Sequence, residues 1–235
     1  MKNNPIRRAF LRLSANARKR RAATFRRLFR IDRSTRVLDL GSEDGSNIAQ
    51  VLDGSSYSPE NVYIADIDPA AIRAGNEKFG FQPILLDESG RLPFDQNFFD
   101  LVYCSSVIEH VTLPKAKLWS VTGETEFRSM SLETQAKFAR EIQRVGRQYF
   151  VQTPCASFPI ESHTWLPLVG YFPRPILLRV MKLSNRYWVK AAAPDFNLLS
   201  KQDMQDLFPS ATIIEEKFAG LTKSIMALRS DMLPE

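Results

Sequence analysis

Glycines and acidic residues with the spacing of a nucleoside site occur near the start of the chain. Residues 37–48 read VLDLGSEDGSNI, which places Asp39, Gly41 and Gly45 around one turn, and Asp66 lies near the end of the later segment NVYIADI. Ligands of open α/β sheets bind beyond the carboxyl ends of the strands, where an acid can accept both hydroxyls of a ribose. This pattern therefore predicts a site that holds a nucleoside.

The composition of the turn restricts which nucleoside can bind. Glu43 and Asp44 occupy its middle, and the turn lacks the pattern G-x-G-x-x-G that cradles a dinucleotide pyrophosphate. Two acids disfavour a phosphate, but they attract a cation by about 1 kcal/mol or more per close pair. The turn thus favours a cationic nucleoside without phosphate, of which S-adenosylmethionine is an example.

The chain has only two histidines, and both follow predicted strands. His110 stands in IEHV after the fourth strand, and His163 stands in IESHTW after the fifth. Because these strands should be neighbours, we expect both imidazoles beside one cleft, where a neutral histidine suits general-base chemistry near pH 7. The candidate catalytic residues are His163, His110 and Glu161, with Glu161 orienting His163. The alternatives are that His110 braces a loop and that Glu161 is a solvated surface acid.

Other side chains near these strand ends also have structural interpretations. Cys104 and Cys155 are typical of small buried hydrophobic residues, and no zinc-ligand spacing is present, so no metal is expected. An aromatic group could form an acceptor pocket or a local hydrophobic core, and it consists of Trp165, Tyr171, Phe172 and Trp188.

Strand-like and helix-like segments alternate from residue 35 onward, which is typical of parallel strands joined by crossover helices. Seven strands are predicted, in RVLDLG, NVYIADI, PILLD, FDLVYCSS, QYFVQTP, ATIIEEKF and SIMALRS. We expect a helix capped by Asp68 and ended by Gly80, a long helix from near Ser131 to Gly146 and a later helix capped by Ser200. The predicted fold is an α/β, Rossmann-like, seven-stranded, mostly parallel sheet with helices on both faces.

Three regions of the chain differ in composition. With 235 residues, 44% hydrophobic and 25% charged, the chain suits one globular domain, which we place at residues 31–235. Residues 157–199 interrupt the alternation with proline and aromatic residues, and we interpret them as a helical, aromatic cap over the substrate. Residues 1–30 carry eleven Lys or Arg and no acid, so the net charge of +6 leaves −5 for the remainder.

Residues 1–30 are predicted to form a basic, amphipathic, helical arm. Its apolar residues recur at three- and four-residue steps, and they are Ile6, Phe10, Leu13, Ala17, Phe25, Leu28 and Phe29. Such an arm could pack over the donor site, lie on an anionic membrane or hold RNA phosphates. We expect a cytoplasmic protein with peripheral contact at the inner face of the membrane, and a mitochondrial presequence is the alternative for the arm.

Four segments together resemble the class I S-adenosylmethionine-dependent methyltransferases, in their type 11-like branch. They are VLDLGSEDG, IADIDP, LLDESGRLPF and FDLVYCSSVIEHV, and the resemblance covers residues 35 to about 155. Glu43 stands where this family usually keeps the central glycine of the turn. The resemblance implies the fold described above and S-adenosylmethionine as the methyl donor.

The resemblance also implies which residues contact the donor. The methionine side of the pocket would be shaped by Asp39, Gly41, Ser42 and Gly45. The ribose would lie on Asp66 with Ile67 beside it, the adenine against Asp87 and the backbone of Glu88, and the sulfonium over Ser105.

The expected reaction is O-methylation of a small-molecule, sugar or glycolipid-type acceptor. Because the arm and the cap are both basic, we expect this acceptor to be anionic. Two alternatives stay open: an RNA methyltransferase that uses the arm as a phosphate clamp, and a non-catalytic S-adenosylmethionine-binding protein.

Overall fold

The computed structural model describes residues 5–87, 90–161, 163–187 and 192–233. Its strands are Val37–Leu40 (β1), Val62–Asp66 (β2), Gln82–Leu85 (β3), Phe99–Ser105 (β4), Gly146–Pro154 (β5), Thr212–Phe218 (β6) and Leu221–Arg229 (β7). Its α-helices are Pro5–Leu28 (α1), Ser46–Leu52 (α2), Pro69–Phe79 (α3), Glu124–Val145 (α4), Arg174–Tyr187 (α5) and Lys201–Leu207 (α6).

All seven strands form one sheet in the order β3-β2-β1-β4-β5-β7-β6. The first five strands pair in parallel, and β7 runs antiparallel to both of its neighbours. The chain order reverses between β1 and β4, so the carboxyl ends of these two strands mark the crevice in which such sheets bind ligands. The predicted Rossmann-like, mostly parallel fold is confirmed.

Two buried clusters cover the two faces of the sheet, which explains why every residue of β1 is buried. One cluster joins Leu38, Leu40 and Cys104 to α4 and α6, and the other joins Val37 and Tyr103 to α1, α2 and α3. Because successive side chains of a strand point to opposite faces, Asp39 shares a face with Val37.

The helix boundaries follow the predicted caps with one exception. Asp68 accepts hydrogen bonds from the first turn of α3, and Ser200 forms a capping box with Asp203 at the start of α6. The expected start of α4 near Ser131 is wrong, because the helix begins at Glu124. The polar segment before Ser131 is helical because acids favour a first helical turn and Phe127 buries its ring.

Helix α1 packs its C-terminal half onto the sheet. The ring of Phe25 is fully buried, with its centroid 5.5 Å from that of Tyr103 and 5.7 Å from that of Phe150. Arg21 forms a 3.2 Å ion pair with Glu216 of β6. The predicted apolar stripe is therefore buried at Ala17, Phe25, Leu28 and Phe29, while the side chains of Ile6, Phe10 and Leu13 lie outside the described set.

The cap, residues 157–199, contains α5 and a small core of its own, built from Val169, Leu177, Met181 and Phe196. A buried Arg174 attaches this unit to the segment between β4 and α4. Its guanidinium donates to the carbonyls of Val121 at 2.7 Å and Leu118 at 2.6 Å and stacks 3.3 Å from the ring centre of Phe127. Burial lowers the pKa of Arg174 to about 10, although the nearby Glu124 acts in the opposite direction.

The described members of the predicted aromatic group lie outside this core. Tyr171 and Phe172 are exposed, Trp165 is half-buried, and Trp188 lies outside the described residues. Among the described residues, no helix is both long enough and apolar enough to cross a membrane.

Candidate functional site

The turn between β1 and α2 depends on Gly41. Its φ is +75°, and a Cβ at this position would stand 2.5 Å from a methyl group of Val107. Its amide donates to the carbonyl of Ala65 at 2.8 Å, which ties the turn to the end of β2. A side chain at residue 41 would therefore be both strained and in collision with the loop that follows β4.

Glu43 adopts the backbone conformation that a glycine would take. Its φ is +51°, in the left-handed region, and its side chain is exposed. Its amide donates to Asp66 Oδ2 at 2.9 Å. The turn thus keeps a left-handed residue at this position even though glycine is replaced.

Asp66 joins the turn to the second strand and keeps acceptor capacity. Oδ2 accepts from the amide of Glu43, and Oδ1 accepts from the amide of Asp68 at 3.1 Å. A carboxylate offers about four acceptor directions, so two remain for a ligand. Ile67 is 61% exposed beside it and offers an apolar surface at the same strand end.

Asp39 is a buried acid at the base of the turn. It is 3% exposed, and its Oδ2 makes no hydrogen bond within the described part of the chain. Burial raises the pKa of Asp39 well above its usual range, and the negative charge of Asp66 adds to this effect. An unpartnered buried carboxyl oxygen fits a site completed by a polar or cationic ligand.

The other predicted donor residues have different environments. Asp44 accepts from the amide and hydroxyl of Ser46 and lies 4.0 Å from Lys78, so its charge stabilises the start of α2. Ser42 is buried, and its hydroxyl makes no hydrogen bond to any described residue. Gly45 is the left-handed cap of α2, with φ +70°.

The predicted adenine and sulfonium contacts lie at the ends of β3 and β4. Asp87 is exposed after β3, and Glu88 lies outside the described residues. Ser105 donates to Gln152 Oε1 at 2.7 Å, which joins the ends of β4 and β5.

The two histidines lie together, as their positions after neighbouring strands predicted. Their ring centroids are 4.5 Å apart, with the rings nearly perpendicular. The 3-10 turn Ile108–His110 follows β4 directly and supplies Glu109 and His110, while His163 comes from the cap. Val107, which contacts Gly41, immediately precedes this turn, so the glycine turn and the histidine pair are adjacent.

His163 lies between two buried carboxylates. Its Nδ1 is 2.5 Å from Glu161 Oε1, and its Nε2 is 3.7 Å from Glu109 Oε1. Burial acts to lower the pKa of His163, but the attraction of Glu109 and Glu161 outweighs burial and raises it to about 9. For Glu161, the effect of His163 likewise exceeds that of burial and lowers the pKa to about 2. His163 is therefore a cation at pH 7.

His110 has a more open environment. Its Nδ1 lies 3.2 Å from Asp195 Oδ1, and about a third of its side chain is exposed, 34% against 13% for His163. Burial would raise the pKa of Asp195, yet its hydrogen bond to His110 brings that pKa below its usual range. His110 and Asp195 thus form an accessible imidazole–carboxylate pair.

Sequence reasoning did not identify the partners of the two histidines. Glu109 is fully buried and accepts from the hydroxyl of Thr153 at 3.0 Å. Buried Gln135 of α4 donates to the carbonyls of Ile108 and Asn197, which positions the 3-10 turn against the returning end of the cap. The position of Glu109 next to His110 was the only feature of the sequence that could have indicated one of these partners. Asp195 and Gln135 are far from both histidines in the sequence, and the fold brings them to the site.

The same cluster has the composition of a metal site. One ligand-type atom from each of Glu109, His110 and His163 lies within 4.8 Å of the others. In the observed arrangement, however, His163 holds a proton between two carboxylates, and an imidazolium has no lone pair to give to a metal. A cation would have to displace that proton before it could bind.

Both cysteines are buried, as expected for small hydrophobic residues. Burial raises the pKa of Cys104 well above its usual range, and the charges of Glu109 and Asp39 add to this effect. The Cys155 sulfur lies 3.1 Å from the hydroxyl of Ser157. The thiol of Cys104 is thereby kept protonated and unreactive.

The protonated His163 should make stability depend on pH. Its pKa is about 9 in the folded protein against an ordinary value of 6.5, so its contribution is complete below pH 6.5 and lost as the pH rises through 9. Across that range, the wild-type protein should lose up to about 3 kcal/mol that His163→Gln does not lose. Urea unfolding at pH 6.5 and 9 measures the difference, with His110→Gln as the control. If the free energy of unfolding changes equally with pH in the wild type and in His163→Gln, the contacts of His163 with Glu109 and Glu161 do not stabilise the fold.

Comparisons with known proteins connect this geometry to a family. Residues 38–122 match the family model described as a methyltransferase domain, and this segment contains both the glycine turn and the Glu109–His110 pair. No curated protein matches the chain.

Solved structures share the fold at low sequence identity. Magnesium protoporphyrin IX methyltransferase from Synechocystis PCC 6803 is 13% identical, with 97% of this chain and 88% of that chain covered and a TM-score of 0.52. An S-adenosylmethionine-dependent methyltransferase from Mesorhizobium loti is 11% identical, with 88% and 95% covered and a TM-score of 0.51.

A Rhodobacter sphaeroides protein, provisionally named as a zinc-dependent alcohol dehydrogenase, is 12% identical, with 89% and 87% covered and a TM-score of 0.56. Such likenesses show the fold alone, so the assignment depends on the matched segment together with that fold. The chain thus contains a segment that matches a methyltransferase domain, within a fold that S-adenosylmethionine-dependent methyltransferases share.

Proposed function

We propose that the protein is an S-adenosylmethionine-dependent O-methyltransferase that acts on an anionic small molecule, sugar or glycolipid-type acceptor. The observation that carries this proposal is the contact between Gly41 and Val107, since it places the candidate donor turn beside the histidine cluster. Methyl transfer from a sulfonium is an in-line displacement, which requires donor, acceptor and base to lie together.

Binding of the methyl donor depends on the carboxyl groups of Asp39, Glu43 and Asp66. Asp66 has acceptor capacity for a ribose diol, and the unpartnered oxygen of Asp39 suits the amino group of the methionine moiety. Glu43 preserves the left-handed turn and adds a negative charge beside it, which favours a sulfonium over a pyrophosphate. The Synechocystis relative was solved with S-adenosylhomocysteine bound, which supports a donor of this class.

The same residues argue against a dinucleotide-dependent reaction. A pyrophosphate needs backbone amides and a field free of negative charge, but the amide of Glu43 is already bound to Asp66. The dehydrogenase name of one relative with this fold therefore does not transfer to this chain.

Deprotonation of the acceptor depends on His110. S-adenosylmethionine, when bound, supplies a methyl group on a positively charged sulfur. With the donor bound, His110 would take the proton from the acceptor hydroxyl as its oxygen bonds to the methyl carbon and the carbon–sulfur bond breaks, and Asp195 would stabilise the resulting imidazolium.

Within this scheme, His163 is a positioning residue. It is already charged at pH 7, and it orders the cluster through Glu109 and Glu161. The base is thus assigned to His110 in preference to His163.

The contacts that the basic arm makes with the rest of the protein disfavour an RNA acceptor. Arg21 is paired with Glu216, and Arg26 donates to the carbonyl of Val51 at 3.1 Å, so part of the basic helix is committed to the fold. A small or lipid-linked acceptor under the cap needs no such clamp.

Asp66→Asn should weaken S-adenosylmethionine binding by on the order of 1 to 3 kcal/mol, because a neutral amide cannot accept the two ribose hydroxyls and also the two backbone amides. Calorimetric titration measures the change. Asp53→Asn, an exposed acid at the end of α2, is the matched control and should bind as the wild type does. Unchanged affinity in Asp66→Asn would show that the ribose lies elsewhere.

His110→Asn should reduce methyl transfer by about 10²- to 10⁴-fold while donor affinity is retained, because only the proton acceptor is lost. The readout is a mass gain of one methyl group in lipid, polysaccharide and RNA fractions incubated with protein and donor. Full transfer by His110→Asn would contradict its role as base. Methylation confined to RNA would replace the proposed acceptor class.

A further inference from the structure

Helix α5 presents a second apolar stripe on the outside of the cap. One side of the helix is buried at Leu177, Leu178 and Met181. Another side exposes Ile176 at 47%, Leu183 at 64% and Tyr187 at 71%. These residues are separated by seven and four positions, so they share one side of the helix and form an apolar stripe that stays exposed in the described part of the chain.

The surroundings of the stripe are basic. Arg179, Lys182 and Arg186 are exposed on the same helix, and the sequence contains no acid between Glu161 and Asp195. Lys182 lies 5.3 Å above the ring of Trp119, which is 39% exposed and belongs to another segment without acids, residues 110–123. Lys115 and Lys117 of that segment are exposed as well.

This composition selects one kind of partner. Exposed apolar side chains flanked by Lys, Arg and aromatic residues are the features of helices that lie in the interface of an anionic membrane. A second copy of the same surface would bring like charges together, which disfavours self-association through it. The buried Arg174 fixes the start of α5 to the segment that carries Leu118 and Val121, so the helix that bears the stripe is anchored to the body of the protein.

We propose that the outer face of α5, with Trp119 beside it, docks the protein onto an anionic lipid surface. Ile176, Leu183 and Tyr187 enter the acyl boundary, while Arg179, Lys182 and Arg186 contact the acidic headgroups. The docking surface is thereby distinct from the basic helix α1, which packs against the sheet. The inference does not depend on the acceptor or on the donor assignment.

Flotation with vesicles tests the proposal on the full chain. Wild-type protein should bind vesicles of equal parts phosphatidylcholine and phosphatidylglycerol and should not bind pure phosphatidylcholine. Leu183→Ser combined with Tyr187→Ser should weaken binding by about tenfold or more, as expected for removing buried apolar groups. Met232→Ser, which removes a 46% exposed side chain near the C-terminus, should have no effect.

Two charge-reversal variants complete the test. Arg179→Glu should weaken vesicle binding severalfold, whereas Arg73→Glu, an equal charge change at an exposed position of α3, should weaken it less. Urea unfolding of each variant shows whether the fold is intact, and S-adenosylmethionine titration shows whether the donor site is intact, so failure of docking is separable from failure of the proposed reaction. Vesicle binding unchanged by the Leu183 and Tyr187 substitutions, or a dimer that these substitutions dissociate, would overturn the proposal.

Discussion

The close approach of Gly41 to Val107 is the constraint on which the candidate site depends. It removes the space for any side chain at residue 41 and holds the loop after β4 against the turn after β1. The loop carries Glu109 and His110, and the turn is fixed to Asp66 through the amide of Glu43. Donor-type and base-type groups therefore belong to one rigid edge of the sheet instead of two independent loops.

Buried charge holds the cap to this edge. Arg174 has no carboxylate partner for its guanidinium among the described residues and is satisfied by backbone carbonyls and the face of Phe127. On the other side, Glu161 and Glu109 enclose the imidazolium of His163. Such groups are costly to bury unless every partner is in place, so they favour one position of the cap over alternatives. We infer that they fix the position of the cap, in addition to the pH-dependent stability that His163 contributes.

The sequence was most informative where local rules decide the structure. The alternation of strands and helices, the caps at Asp68 and Ser200, and the meeting of His110 with His163 followed from patterning and from parallel strand order. It was less informative where distant segments meet. Asp195 approaches His110 only because the cap returns past the 3-10 turn, and the start of α4 depended on burial of Phe127. The basic residues of α1 suggested a helix that could hold RNA phosphates. The burial of Phe25 instead makes the C-terminal half of this helix part of the core.

Glu43 departs from the pattern of the family that the sequence resembles, and it still takes the backbone conformation typical of a glycine. A non-glycine residue at φ +51° is strained by about 1 to 2 kcal/mol, yet its amide keeps the bond to Asp66 that the turn requires. Glu43 thus adds a negative charge to the turn while its backbone takes the left-handed conformation of a glycine. We therefore expect this turn to bind a cationic nucleoside without phosphate.

Calorimetric titration of the wild-type protein with S-adenosylmethionine, S-adenosylhomocysteine and NAD⁺ measures whether this turn selects such a nucleoside. Both S-adenosyl compounds should bind, the charged S-adenosylmethionine should bind the more tightly, and NAD⁺ should not bind. Binding of NAD⁺, or no binding of either S-adenosyl compound, would contradict this expectation.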